Sequence, residues 1–329
     1  MLNSELNMGD HQSAQCPVCR VPSPQLSVIA GWGHWHRCPI CTLEFADPMR
    51  LPSSPESLFG DAYLGRGTIN EVADFRNRIR IRNAIVGEPN LWFWTPAFKL
   101  TIEWVKKRLS QGEAVLEIGC GLGLLMHEFR RHGVRVCGVD AAESAVDLNR
   151  KDGFQVWHGN ADAVPADFGN FRAIVSMFML HHLVNPLEFL SGVREKWPEA
   201  GFVISQYGPT NVDPARSVPP RTLTKWNKLS LGTALTAAGY TVEMLEVPST
   251  GAEARPFTRV QTSKSVQEAV NKITVPRWVF RTNMRIENVI LPRILHRLQK
   301  EAFVLVAFAT PRSEAVPHRG TSGSKSSGA

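Results

Sequence analysis

Nine residues, Val115-Leu-Glu-Ile-Gly-Cys-Gly-Leu-Gly123, constrain this 329-residue chain more than any other stretch. Residues 115–118 are a short apolar run with one acid, Glu117, inside it. Gly119, Gly121 and Gly123 follow at alternate positions, and residues 124–132 then read as a helix that stops at Gly133. An apolar strand, a glycine-rich turn and a helix, in that order, make a ligand-binding loop. The glycines let the backbone turn sharply and approach a ligand, and the first turn of the helix aims unpaired N–H groups at it.

Spacing selects the ligand. A dinucleotide loop needs G-x-G-x-x-G, and here the position three after Gly121 is Leu124. The observed E-x-G-x-G-x-G instead resembles motif I of class I S-adenosylmethionine (SAM) methyltransferases. Residues 134–139 read as a second strand, which ends on Asp140, 21 residues after Gly119. That is about the separation a βαβ unit requires, and an acid at such a strand tip can accept hydrogen bonds from both hydroxyls of a ribose. The competing reading is a glycine-rich turn beside an unrelated surface Asp. In SAM enzymes an acid after the third strand typically accepts from the adenine amino group. Asp162, in Gly159-Asn-Ala-Asp162, matches that place, with Ala161 against the ring; an ordinary Asx turn is the alternative. The cofactor-binding set expected is therefore Glu117, Gly119, Cys120, Gly121, Gly123, Asp140, Ala141, Ala161, Asp162 and Met177.

Further strands are expected over residues 154–157, 171–177, 201–206, 241–247 and 302–309, with helices over 98–109, 144–151 and 186–197. The run 171–177 is apolar on both faces and belongs in the centre of a sheet. The expectation is an α/β fold, a Rossmann-like class I methyltransferase sheet of seven strands with the last antiparallel. A ligand in such a sheet binds beyond the carboxyl ends of the strands.

Two C-x-x-C knuckles, Cys16-Pro-Val-Cys19 and Cys38-Pro-Ile-Cys41, precede this domain. Their spacing reads as a zinc ribbon in which Cys16, Cys19, Cys38 and Cys41 close a tetrahedral shell around one Zn²⁺. Two disulfides or a redox pair are the rivals. The first residues lack the basic and apolar regions of a signal peptide, and no apolar run approaches bilayer-spanning length. A cytoplasmic protein with reduced thiols is expected, which disfavours disulfides. The repetition of the motif disfavours a redox pair. His34 and His36 read as surface or packing residues beside a shell already complete.

Hydrophobic residues at 43% and charged residues at 20% are ordinary for a soluble globular chain. The net charge of +7 suits anionic partners without by itself indicating nucleic acid. The organisation expected is a polar tail (1–13), the ribbon (14–48), a linker and helical lead-in (49–110), the methyltransferase domain (111–310) and a Ser-, Gly- and Lys-rich disordered tail (311–329). Residues 43–68 are rich in Pro, Ser and Gly and suggest little regular structure. In the lead-in, Arg76, Arg78, Arg80 and Arg82 form either a solvated helix face or an anion-binding one. Leu91-Trp-Phe-Trp94 is read as core packing, with a roof over the active site as its rival. Residues 249–300 form a basic helical insertion before the last strand.

With these residues in view, the chain resembles a bacterial family that joins an N-terminal zinc ribbon to a class I SAM methyltransferase domain, over about residues 15–310. Cys38-Pro-Ile-Cys-Thr-Leu-Glu-Phe-Ala-Asp-Pro48 is similar to the family's second knuckle, where many members have Gly in place of Thr42. Leu180-His-His-Leu-Val-Asn-Pro186 is similar to their L-E-H-x-x-D-P, so His182 matches the family His, while His181 and Asn185 replace acids. Pro219-Pro-Arg-Thr-Leu-Thr-Lys-Trp226 resembles their P-P-H-H-x-x-x-W segment, with Arg221 and Thr222 in place of the His pair. The resemblance implies methyl transfer from SAM and a structural zinc, and it leaves the acceptor open because members act on varied small molecules.

His181 and His182 are the candidate bases, since His titrates near neutral pH; satisfied structural histidines are the rival. Arg221 is the third candidate. If its stretch is helical it shares a face with Lys225, and the two would hold an anionic acceptor. Two other function classes stay open. One is an RNA methyltransferase that grips phosphates with the ribbon and basic segments, although Ser176-Met-Phe-Met179 is not the N/D-P-P-Y/F motif of amino-nitrogen targets. The other is a SAM-binding scaffold with a degenerate acceptor site.

Overall fold

A computed structural model of the chain describes residues 13–51, 82–83, 86–87, 96–208, 218–248 and 303–312. Its largest element is a seven-stranded sheet of β6 (Ala114–Ile118), β7 (Val136–Asp140), β8 (Gln155–His158), β9 (Phe171–Met177), β10 (Gly201–Tyr207), β12 (Tyr240–Pro248) and β13 (Phe303–Pro311). The spatial order is β12-β13-β10-β9-β6-β7-β8. The strands from β8 to β10 are parallel, and β13 runs antiparallel to both β10 and β12. This is the sheet expected from the sequence, with the last strand reversed. β13 continues to Pro311, past the expected end at 309.

The sheet is buried on both faces because helices cover both, and period-2 alternation sorts its side chains between two cores. Leu116, Ile174, Phe202 and Leu305 point to one core. There they meet Leu190 of α4 (Pro186–Lys196) and Leu231 and Leu235 of α5 (Lys228–Ala237). Val115, Val175, Val203 and Val306 point to the other. There they meet Ile102 of α1 (Pro96–Lys106), Phe129 of α2 (Leu124–Arg131) and Val146 of α3 (Glu143–Lys151). Strand order reverses beside β6, whose neighbours are β7 and β9. The crevice beyond the carboxyl ends of β6 and β9 is therefore where a ligand fits.

The cysteine module holds a two-stranded sheet, β1 (Ala14–Gln15) and β2 (Pro22–Ser23), and the strands β3 (Gln25–Ile29), β4 (Gly33–Arg37) and β5 (Glu44–Asp47). Two expectations are corrected here. The stretch from 43 does not begin a structureless linker, since residues 44–47 are β5. The stretch containing Arg221 and Lys225 is not helical: Arg221 lies in a turn, and Thr224–Lys225 is a short strand, β11. β11 pairs with β5 and completes a four-stranded antiparallel sheet, β11-β5-β4-β3. A segment of the large domain thus finishes the sheet of the small one. Cys16, Val18, Leu43 and Phe45 also share a core with Trp226 and Leu231.

Among the described residues no helix is long and apolar enough to cross a membrane. The aromatic cluster 91–94 and the basic insertion 249–300 lie outside the described residues, as do most of the lead-in and of both tails.

Candidate functional site

The glycine loop leaves β6 with Gly119, Gly121 and Gly123 all in the left-handed region, at φ 75, 50 and 71°. A Cβ on Gly123 would stand 1.8 Å from Asn149 Oδ1, whereas one on Gly121 would meet nothing within 4 Å. The loop therefore packs tightly against α3 at Gly123 and is open at Gly121. Asn149 supports it by donating from Nδ2 to the Gly121 carbonyl at 2.8 Å.

Asp140, at the tip of β7, holds the other side of the loop. Its Oδ2 accepts from Gly121 N at 2.7 Å and its Oδ1 from Ala142 N at 2.9 Å. Burial pushes this carboxyl above its ordinary value, against the pull of the two N–H donors. Each oxygen keeps a second lone pair, so Asp140 can serve the loop and still accept from two hydroxyls. Glu117 is buried at 4% exposure, and its Oε2 has no hydrogen-bond partner among the described residues. Burial, then the nearby Asp140 charge, pushes the Glu117 carboxyl well above the usual range. A protonated Glu117 can donate as well as accept. The open Gly121, the two-sided Asp140 and the orphaned Glu117 oxygen together fit SAM.

The remaining expected cofactor residues spread around this crevice. Cys120 is buried beneath the loop and Met177 closes β9. Ala141 is exposed, and its carbonyl faces His158 Nε2 at 3.2 Å. Ala161 is buried in a one-turn 3₁₀ helix, Ala161–Ala163, on which Asp162 is exposed.

The histidine pair follows β9 in a 3₁₀ turn, Leu180–His182. The turn is entered through Phe178, a non-glycine residue at φ 56° that stacks on Tyr207 with centroids 4.3 Å apart. Strained backbone of this kind costs about 1–3 kcal/mol and persists only where its surroundings hold it. The rings of His181 and His182 are 3.9 Å apart. His181 Nδ1 lies 3.0 Å from Gln206 Oε1, which can only accept, so Nδ1 carries the proton and Nε2 keeps a lone pair. His182 Nδ1 faces the Arg221 carbonyl, which fixes the same tautomer. Burial, then its neighbour's charge, drives His181 well below its ordinary value, while burial takes His182 down to about 4. Both rings are neutral at neutral pH, and burial makes them weaker bases than a free imidazole.

A small cavity, with room for about one water, opens beside His181 and is lined also by Gln206, Thr224, Lys225 and Trp226. Gln206 Nε2, Thr224 Oγ1 and Trp226 Nε1 are buried without partners among the described residues. Lys225 lies 3.8 Å from Glu44 Oε2 and 4.0 Å from the Trp35 ring centroid. It is engaged by the cysteine module and does not share a helix face with Arg221.

The four cysteine sulfurs lie within 4.8 Å of one another. All four are free of disulfides, and Cys16 and Cys41 Sγ are 3.8 Å apart. A tetrahedron with Zn–S bonds of about 2.3 Å has edges of about 3.8 Å, so this spacing suits one zinc. Val18 and Cys19 donate backbone N–H groups to Cys16 Sγ at 3.4 Å, as Cys41 does to Cys38 Sγ. These bonds stabilise thiolates.

Sequence reading grouped Arg82 with a solvated or anion-binding helix face and missed its bracing role. Arg82 is 3% exposed, donates from Nε to the Leu122 carbonyl at 2.9 Å and pairs with Asp152. It braces the glycine loop and is not part of a solvated face. Gln206 was missed as well, because a lone polar residue at a strand end carries no pattern.

A glycine loop and an acid thus meet at the switch point of this α/β sheet. Residues 96–245 match the protein family described as "Methyltransferase domain". It is 31% identical over 100 residues to ubiquinone biosynthesis O-methyltransferase of Dinoroseobacter shibae, covering 29% of this chain and 40% of that protein. It is 33% identical over 129 residues to ribosomal protein L11 methyltransferase of Burkholderia ambifaria, covering 37% and 41%. The chain thus spans about two fifths of the length of these relatives. A SAM-dependent methyltransferase structure from Archaeoglobus fulgidus aligns at 18% identity and a TM-score of 0.40, covering 65% of this chain and 94% of that one.

Proposed function

We propose that this protein transfers the methyl group of SAM to a small-molecule acceptor that carries an anionic oxygen, and that the cysteine module holds one structural Zn²⁺. Asp140 carries the cofactor half of this reading. It sits at the switch point, shapes the loop through two N–H bonds and has lone pairs left for a ribose. Glu117, Cys120, Gly119 and Gly123 would complete that half, with Met177, Ala141, Ala161 and Asp162 around it.

SAM, when bound, supplies a sulfonium-activated methyl group for in-line displacement. The chain's part is alignment and electrostatic match. His181 and His182 stand beyond β9 as neutral imidazoles, the residues there that would take a proton if the acceptor must lose one. Gln206 Nε2, Thr224 Oγ1 and Trp226 Nε1 are donors without partners beside Lys225, which is what an acceptor oxygen would find attractive. Arg221 lies in the adjoining turn and remains a candidate through its position alone.

The test is labelled SAM with a cell extract split into small-molecule, RNA and protein fractions. Label in an acidic small molecule is expected. Label only in RNA would favour a phosphate-gripping enzyme, and label only in protein would point to a protein acceptor. No label in any fraction, with binding of S-adenosylhomocysteine retained, would leave a SAM-binding scaffold.

A further inference from the structure

Residues 221–227 are bonded on both edges, to the cysteine module on one side and to the histidine pair on the other. Leu223 carries both ties at one residue. Its N–H donates to the His181 carbonyl at 2.9 Å, and its carbonyl accepts from Ala46 N of β5 at 2.9 Å. Arg221 gives its carbonyl to His182 Nδ1. Beyond Leu223, β11 pairs Thr224 with Phe45 and Lys225 with Glu44. Asn227 then donates from Nδ2 to Thr42 Oγ1 at 2.9 Å and to the Thr42 carbonyl at 3.1 Å.

Thr42 directly follows the cluster residue Cys41 and stands at φ 60°. A β-branched residue rarely occupies that region. Its conformation is held on one side by the knuckle, where Thr42 N donates to the Cys38 carbonyl at 3.0 Å, and on the other by Asn227. Hydrogen bonds and the short backbone stretches between them therefore lead from the Cys38–Cys41 knuckle, through Thr42 and β5, to Leu223 and both histidines.

We propose that the cysteine module, with its metal bound, is a wall of the acceptor side: it positions His181 and His182 through the strut 221–227 and has no part in holding SAM. The inference rests on the zinc reading above. Among the described residues, the Asp140–Gly121 contacts share no bond with the strut. Two of the histidine turn's hydrogen bonds end on Arg221 and Leu223. Asn227, Thr42 and Leu223 are positioning residues in this scheme and touch no reacting atom.

The experiment uses the full chain, reduced and zinc-loaded, in three readouts that need no acceptor: metal content, calorimetric affinity for S-adenosylhomocysteine, and diethyl pyrocarbonate modification of His181 and His182 followed by mass spectrometry. The metal is removed by chelation in one arm. In the other, Asn227→Asp keeps an oxygen to cap α5 through Ser230 N but loses the amide donors to Thr42. Chelation is expected to leave nucleoside affinity within about twofold while the histidines react about fivefold faster, the scale of one lost tie. Asn227→Asp should keep one zinc and shift the histidines in the same direction by less. Unchanged histidine reactivity in the metal-free protein would overturn the proposal. So would loss of nucleoside binding in step with the metal, which would make the module a general stabiliser. A chain that never binds zinc would refute the zinc reading separately.

Discussion

Asp140 offers the sharpest single perturbation, because Asn preserves its shape and changes only its charge and half its acceptors. In Asp140→Asn one oxygen becomes an NH₂ donor. Wherever the amide turns, one of two backbone N–H groups, Gly121 at 2.7 Å or Ala142 at 2.9 Å, faces a donor. A hydrogen bond to a charged group contributes about 1.5–3 kcal/mol, and a buried donor left unpaired costs a similar amount. One such loss in the loop or at the ribose corresponds to roughly a 10- to 150-fold weaker Kd for S-adenosylhomocysteine. Asp140→Ala removes both acceptors and should fall at or beyond the far end of that range. Titration calorimetry on both variants measures the loss, and thermal melting without ligand reports the share that is loop order. Since burial raises the Asp140 carboxyl above the ordinary carboxylate value, nucleoside affinity should also start to weaken with falling pH sooner than an exposed Asp would allow. If Asp140→Asn binds S-adenosylhomocysteine within twofold of the parent, the cofactor is not held at the tip of β7.

Three further outcomes are expected. Gly121→Ala should destabilise the fold by about 1–2 kcal/mol, the usual cost of a left-handed Ala, while Gly123→Ala should cost clearly more, because its Cβ would strike Asn149 Oδ1; denaturant titration giving equal costs would contradict the packing described. His182 is lowered to about 4 in the folded chain and would sit near 6.5 unfolded, so the unfolded chain binds the extra proton between those values. The associated stability is complete above about pH 6.5 and is lost as pH falls towards 4, by at most about 3 kcal/mol; His182→Asn should flatten the difference between pH 7 and pH 5 in chemical denaturation, and an unaltered pH slope would show that the ring is solvated. Cys38→Ser should release the zinc, read by elemental analysis, and because β11 completes the module's sheet, amide exchange should rise at residues 223–227 as well as in the knuckles; loss of protection confined to the N-terminal residues would refute that coupling.

Local chemistry explains what could be read early. Alternate glycines after an apolar strand admit few conformations, and the three observed positive φ angles are the reason those residues are glycine. Four thiols in two C-x-x-C knuckles have few uses, and their sulfurs do converge. The alternation of apolar strands and amphipathic helices yields a parallel sheet because each strand must bury two faces. The extent of β5 was not legible, since Glu44–Asp47 is too short and mixed to signal a strand without its partners.

The sequence by itself therefore determined the sheet and its glycine loop, together with the convergence of the four cysteines, because each is dictated within a few residues by backbone sterics, periodicity or side-chain chemistry. Only the tertiary structure decided that β11 belongs to the cysteine module's sheet, that Arg82 braces the loop from 40 residues away, that Gln206 sets the His181 tautomer from 25, and that Asn227 grips Thr42 from 185. Those contacts use a carbonyl, an amide or a guanidinium that nearly any chain can offer. Their partners are chosen by where the packed sheet brings distant backbone together, and no spacing along the chain records that choice.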